Sequence, residues 1–178
     1  MISTDTSRRV ASYAAVLISA LAADVRAQPA ENLFMIARNK NANIVRYDIH
    51  RNADGQLNVE RPVDSYWLLL AENGRREDLT WMERELAYGH STGPVGRSGF
   101  TLQLQAFRQR EIQVVPVGKT YRAYVTIAGK NAILNRIFVH ADGSGLVPTV
   151  RYIELQGIGD NGAHLIERIN AARDTECD

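Results

Sequence analysis

From Gln28 onward the apolar residues recur mostly at every second position, the pattern of strands with one buried face, and only once at the spacing of a helix. Phe100-Thr101-Leu102-Gln103-Leu104-Gln105-Ala106 is the clearest case, with Phe100, Leu102, Leu104 and Ala106 directed inward and the polar residues outward. Leu33 to Ala37, Ile44 to Ile49, Ser65 to Leu70, Ile112 to Val117, Tyr121 to Ala128, Ala132 to His140 and Thr149 to Gln156 are seven further strand candidates. Reversals separate them. Asn39-Lys40-Asn41-Ala42-Asn43 is rich in the side-chain-bearing residue that best tolerates left-handed backbone and reads as a hairpin loop. Asp54-Gly55, Ala128-Gly129-Lys130-Asn131 and Asp142-Gly143 are further turns.

One helix is predicted, from Thr80 to Tyr88. Thr80 and Glu83 form a capping box, each satisfying the other's free backbone N–H. Met82 and Leu86 lie four apart on one face, so the helix is expected to pack on the sheet through Trp81, Met82 and Leu86, with Gly89 as a left-handed stop. Leu165, Ile166 and Ile169 suit either a last helix or a last short strand. Many short strands, short reversals and no regular strand–helix alternation predict a mostly β fold. The first expectation is a single antiparallel β-barrel of lipocalin type, the second a β-sandwich, with the one short helix between strands three and four.

The first residues change the picture of where the chain works. Arg8 and Arg9 precede an apolar run from Val10 to Ala23, and Val25-Arg26-Ala27 supplies small residues at the −3 and −1 positions. That succession is a secretory signal peptide, residues 1–27, followed by a single β-rich domain over residues 28–178 with a polar C-terminal tail. A bilayer-crossing helix needs about 20 apolar residues, and this run is shorter and interrupted by Ser12, Tyr13 and Ser19, so no transmembrane anchor is expected. Ser7-Arg8-Arg9 resembles a twin-arginine signal, yet Ala11 stands where a large apolar residue is usual, which leaves the export route open.

The chain carries 21 basic and 20 acidic residues; removing residues 1–27 leaves 18 of each. Nucleic-acid binding, which rests on a basic excess, is therefore not expected. The one cysteine, Cys177, excludes an intrachain disulfide, and its acidic neighbours disfavour a reactive thiolate.

Three stretches invite chemistry. Asn52-Ala53-Asp54-Gly55 has the look of a calcium loop, but with Gly55 at the sixth position His50 and Arg61 fall where carboxylates are required. His50 and His140 each end a strand before an Asp-Gly turn; with Asp54 and Asp142 they would form a metal cluster only if both turns met at one end of the fold, and nothing in the spacing fixes the two turns near each other. Neither a metal nor a cofactor is expected. Tyr88-Gly89-His90-Ser91-Thr92-Gly93 places a histidine beside a serine, but neighbours in sequence rarely face each other, and no nucleophile elbow is present.

Charges inside strands carry more. Arg46 lies within Ile44 to Ile49, Arg136 shares a face with Leu134 and Phe138, and Glu154 shares a face with Val150 and Tyr152. Such a charge is paired or exposed at an edge. Arg136 and Glu154 form a structural ion pair, or Arg46 or Arg136 holds the acidic end of an apolar ligand inside the β-domain. The ligand-binding candidates are Arg46, Arg136, Tyr152 and Glu154, with no catalytic residue assigned.

The segments NLFMIARNKNANIVRYDI, VDSYWLLL, LTWMERELAYG, YRAYVTIAGKNAILNRIFV and TVRYIELQG, in that order, resemble a bacterial family described as domain of unknown function 4833. The resemblance spans nearly the whole mature chain. It implies an exported bacterial protein without an established activity, so no site residue follows from it. The expectation is a periplasmic or secreted binding or envelope-associated module for a small apolar or acidic ligand. The alternative is a hydrolase acting on a cell-envelope component, which requires His50, His90 or His140 within reach of a nucleophile or metal.

Overall fold

The structure, a computed structural model, describes residues 30–39, 41–143 and 149–171. The proposed signal peptide, Cys177 and the end of the polar tail lie outside the described residues. Eleven strands form one sheet: β1 (Asn32–Arg38), β2 (Asn41–Ile49), β3 (Val63–Leu69), β4 (Arg75–Asp78), β5 (His90–Thr92), β6 (Phe100–Leu104), β7 (Phe107–Val117), β8 (Thr120–Ile127), β9 (Lys130–Asp142), β10 (Thr149–Gly159) and β11 (His164–Asn170). The last segment, ambiguous in sequence, is thus a strand. The helical segment comprises α1 (Trp81–Glu83) and a wider π-helical turn, Arg84–Tyr88.

The strand order β4-β3-β2-β1-β9-β8-β7-β6-β5 is linear, with β10 and then β11 attached to the other edge of β9. β9 makes this possible by its length. Its first residues, Lys130 to Ile133, pair with β8, and Arg136 to Val139 pair with β1 on the same edge. The β1–β9 pairing is parallel, whereas the other ladders are antiparallel. The sheet is not closed into a barrel, which corrects the first expectation. The ladder ends at β4 on one side and β5 on the other, and the chain passes between those two edge strands through the helical segment instead of joining them by hydrogen bonds.

The inner face follows the alternation. Phe34 and Ile36 of β1 stand opposite Tyr47 and Val45 of β2, and all four are buried. Phe100, Leu102 and Leu104 meet Ile112 and Val114 across the sheet, with Ala123, Val125, Leu134, Ile137 and Leu155 completing the core. The Phe34 and Tyr47 rings stack with centroids 4.5 Å apart. At the end of β1 the Asn39 amide both donates to the Ala141 carbonyl at 2.9 Å and accepts from the Ala141 N–H at 2.8 Å, extending the parallel ladder with a side chain.

One local irregularity redirects side chains. On β9, Leu134 pairs with Gly157 but Arg136 pairs with Gln156, so Asn135 is an extra residue, a β-bulge. Before the bulge Ala132 and Leu134 point inward; after it Ile137, paired with Leu155, does, and Arg136 and Phe138 are turned outward. Arg136 therefore does not share the face of Leu134, as simple alternation predicted. Gly157 permits the crowding: a Cβ there would stand 2.4 Å from the Ile133 oxygen.

The helix starts as expected. Thr80 and Glu83 form the capping box, with the Glu83 carboxylate accepting from the Thr80 N–H at 2.8 Å. Its packing differs from expectation. Trp81, Met82 and Leu86 are 76%, 59% and 66% exposed, and the segment is instead anchored at its two ends by buried Leu79 and Tyr88. Gly89 is extended (φ −67°, ψ 161°), not left-handed. Glycine is required there for space, because a Cβ would lie 2.1 Å from the Arg84 oxygen that accepts the last π-turn hydrogen bond from the Gly89 N–H.

Candidate functional site: an apolar cavity beneath the helix

Between the helical segment and the inner face of the sheet lies a cavity of about 750 Å³. Ile36, Ile137 and Val139 line it from β1 and β9, Ile153 and Ile169 from β10 and β11, and Met82 and Leu86 from the helix. The apolar helix face predicted to touch the sheet thus faces a cavity. The gap is kept by Tyr88: its carbonyl accepts from the buried Tyr47 hydroxyl at 2.6 Å, and its ring meets the Trp67 indole edge-on at 5.2 Å. Trp67 in turn donates from Nε1 to the Glu83 carboxylate at 2.9 Å. Burial penalises the Glu83 charge, but the hydrogen bonds from Thr80 and Trp67 outweigh it and hold the carboxyl below its usual range.

The cation in this cavity is Arg38. It continues the inward series Phe34, Ile36, Arg38 at the end of β1. Its Nη1 donates to the Tyr88 hydroxyl at 3.4 Å, and no carboxylate among the described residues lies within ion-pair distance of it. Glu83 also lines the cavity, yet its two oxygens are taken by Trp67 and Thr80. Arg38 was missed in sequence because the strand was ended at Ala37; the alternation Phe34, Ile36, Arg38 was the signal that carried it.

The sequence candidates lie on the opposite, outer face. Arg46 and Arg136 both pair with Met35, one from each side of β1, and Tyr152 and Glu154 stand on β10 opposite His140 and Phe138. They do not form one pocket. Arg46 donates to Asp48 at 3.0 Å, and Asp48 also accepts from Asn32 at 2.9 Å and from the Tyr66 hydroxyl. Burial and then that bond to Asp48 push the Tyr66 phenol up to about 12. Glu154 pairs with Arg168 at 2.6 Å, not with Arg136, and Tyr152 is stacked between His140 and Arg168, 4.7 Å and 4.1 Å away. Arg136 is left without a carboxylate among the described residues.

The histidines are dispersed. β1 runs parallel to β9 and antiparallel to β2, so His140, at the end of β9, and His50, just after β2, fall at opposite ends of the sheet. His50 takes a hydrogen bond from Arg61 at 3.1 Å and lies 3.3 Å from Asp64. His90 packs edge-on against Tyr47 at 5.7 Å; burial lowers its pKa. Among the described residues no histidine exchanges a hydrogen bond with a serine, threonine or cysteine, and no three His, Cys, Asp or Glu side chains are grouped to hold a metal. Nor is any helix of the described residues long and apolar enough to cross a membrane.

Fold and cavity together define a mostly β domain with one short helix set over an apolar, arginine-bearing cavity. The chain belongs to the family described as Domain of unknown function (DUF4833), whose model matches residues 34–168. No curated protein and no solved structure matches it.

Proposed function

We propose that this protein is an exported, periplasmic or secreted, binding module whose sheet, folded over in a sandwich-like manner, takes up a small apolar molecule with an acidic end beneath the helix. The observation that carries this reading is Arg38, a guanidinium lining an apolar cavity with no carboxylate partner among the described residues. A half-buried cation in apolar surroundings favours an anion, and the guanidinium fork matches a carboxylate. Apolar walls with few polar groups are the usual make-up of small-molecule sites, and 750 Å³ falls inside their usual range of about 300–1,000 Å³. The ligand chain would lie on Ile137, Val139 and Ile153 and withdraw Met82 and Leu86 from water, with each CH2 buried contributing about 0.8 kcal/mol.

Export is supported by the succession of charged, apolar and small residues from Arg8 to Ala27. Amino-terminal sequencing of the mature protein tests it: a start at Gln28 is expected, and intact Met1 on the functional form contradicts it. Binding is tested by titrating the protein with straight-chain and aromatic carboxylic acids while following the fluorescence of Trp67, which lines the cavity. A saturable change is expected; no saturable response across the panel rules out this ligand class.

A further inference from the structure

We infer that Arg136 forms a second, separate site on the outer face of the sheet, for a small organic carboxylate. A cavity of about 410 Å³ there is lined by Arg136, Asn135, Gln156 and His164, with Met35 and Ile166 among its apolar walls and no aspartate or glutamate. Three other arginines of that face are matched to strand carboxylates: Arg46 to Asp48 at 3.0 Å, Arg168 to Glu154 at 2.6 Å and Arg76 to Asp64 at 3.6 Å. Arg136 is not. Its guanidinium rests against the Phe138 ring, 5.1 Å from the centroid, and its Nε is shielded from solvent with no hydrogen-bond partner.

The backbone is shaped to put it there. The Asn135 bulge turns Arg136 from the inner to the outer face, and Gly157 beside it has no room for a Cβ. Bulges recur where a side chain is re-aimed at a site. The guanidinium fork, with the Asn135 amide beside it and the second N–H of the Gln156 amide, whose first donates to Glu154 at 3.4 Å, offers donors to a carboxylate, while Met35 and Ile166 offer contact to a short alkyl or aromatic substituent. The two arginine sites occupy opposite faces of the sheet, so this inference is independent of the Arg38 cavity.

The test uses the isotope-labelled mature protein titrated with isovalerate, benzoate and inorganic phosphate, followed by the methyl resonances of Ile166 and Leu165 and by the Arg136 Nε–H signal, assigned from its loss in Arg136→Lys. Saturable shifts with the two carboxylates are expected in the wild type and, unchanged, in Arg38→Met. In Arg136→Met the affinity read at Ile166 should fall at least about tenfold, the scale of a lost charge-assisted pair. Should that variant fail to fold, Arg136→Lys decides, because it keeps the charge and loses the fork, and its affinity should still fall. Wild-type shifts that do not saturate, a response to phosphate alone, or carboxylate shifts of equal affinity in the Arg136 variant would each overturn the assignment.

Discussion

The Tyr47 hydroxyl, buried on β2, donates a 2.6 Å hydrogen bond to the backbone oxygen of Tyr88, the last residue of the helical segment. That one bond ties the helix end to the centre of the sheet across 41 residues of sequence. Removing the hydroxyl leaves a buried carbonyl without its donor, so Tyr47→Phe should lose about 1–3 kcal/mol of stability. Urea denaturation measures it, and a loss below about half a kcal/mol would show that the helix is held elsewhere.

The same hydroxyl sets an alkaline limit. Burial, and then the neighbouring Tyr88, raise the Tyr47 phenol far above its ordinary 10.0, and Tyr66 is raised to about 12. Above pH 10 the unfolded chain releases these two protons while the folded chain keeps them, so the unfolded state binds fewer protons and stability falls as pH rises. Their contribution is complete below pH 10; that of Tyr66 is lost as pH passes through about 12. Denaturation midpoints between pH 9 and 12 should decline, and the decline should be shallower in Tyr66→Phe.

Leu86 and Leu79 make a matched pair of tests. Leu86 faces the cavity and is 66% exposed, so Leu86→Ala should cost less than about 1 kcal/mol, whereas Leu79→Ala, which empties a buried site, should cost about 2–5 kcal/mol. Chemical denaturation of both variants separates a cavity wall from a structural brace. Equal losses would mean that the helix closes onto the sheet in solution.

Asp48 is buried at 3% exposure and accepts from Arg46, Asn32 and Tyr66. Asp48→Asn leaves Arg46 without its counter-charge and should destabilise by about 3 kcal/mol, without changing binding in the cavity on the other face. A denaturation curve and a ligand titration on the same variant check both halves. Weakened binding at preserved stability would place Arg46 in the ligand site instead of the scaffold.

How far the sequence reached follows from how local each signal is. The capping box at Thr80 and Glu83, the alternation of Phe100, Leu102 and Leu104 and the turns at Asp54-Gly55 and Ala128-Gly129 depend on neighbours a few residues apart, and they were legible; the reversal expected at Asp142-Gly143 runs into residues outside the described ones. β4 was not, because Arg75 to Asp78 are all polar and exposed and show no alternation. The Asn135 bulge inserts one residue into a period of two, so the face of Arg136 came out reversed. The parallel pairing of β1 with β9 joins segments about a hundred residues apart, and with it the barrel expectation gave way to an open sheet. Arg38, which lines the cavity with no carboxylate partner among the described residues, was passed over because it stood one residue beyond the assigned strand.

Binding by Arg38→Met tests the central claim most directly. Wild type and variant are titrated with the same apolar carboxylic acids and the corresponding uncharged alcohols, with Trp67 fluorescence as readout and a urea curve for each protein. The account predicts saturable binding of the acid by the wild type, at least about tenfold weaker binding by the variant, a smaller difference for the alcohol, and stability within about 1 kcal/mol, since among the described residues Arg38 makes one long side-chain hydrogen bond, to Tyr88, and no ion pair. Equal acid affinity in wild type and variant, or a variant that loses several kcal/mol of stability, would contradict it.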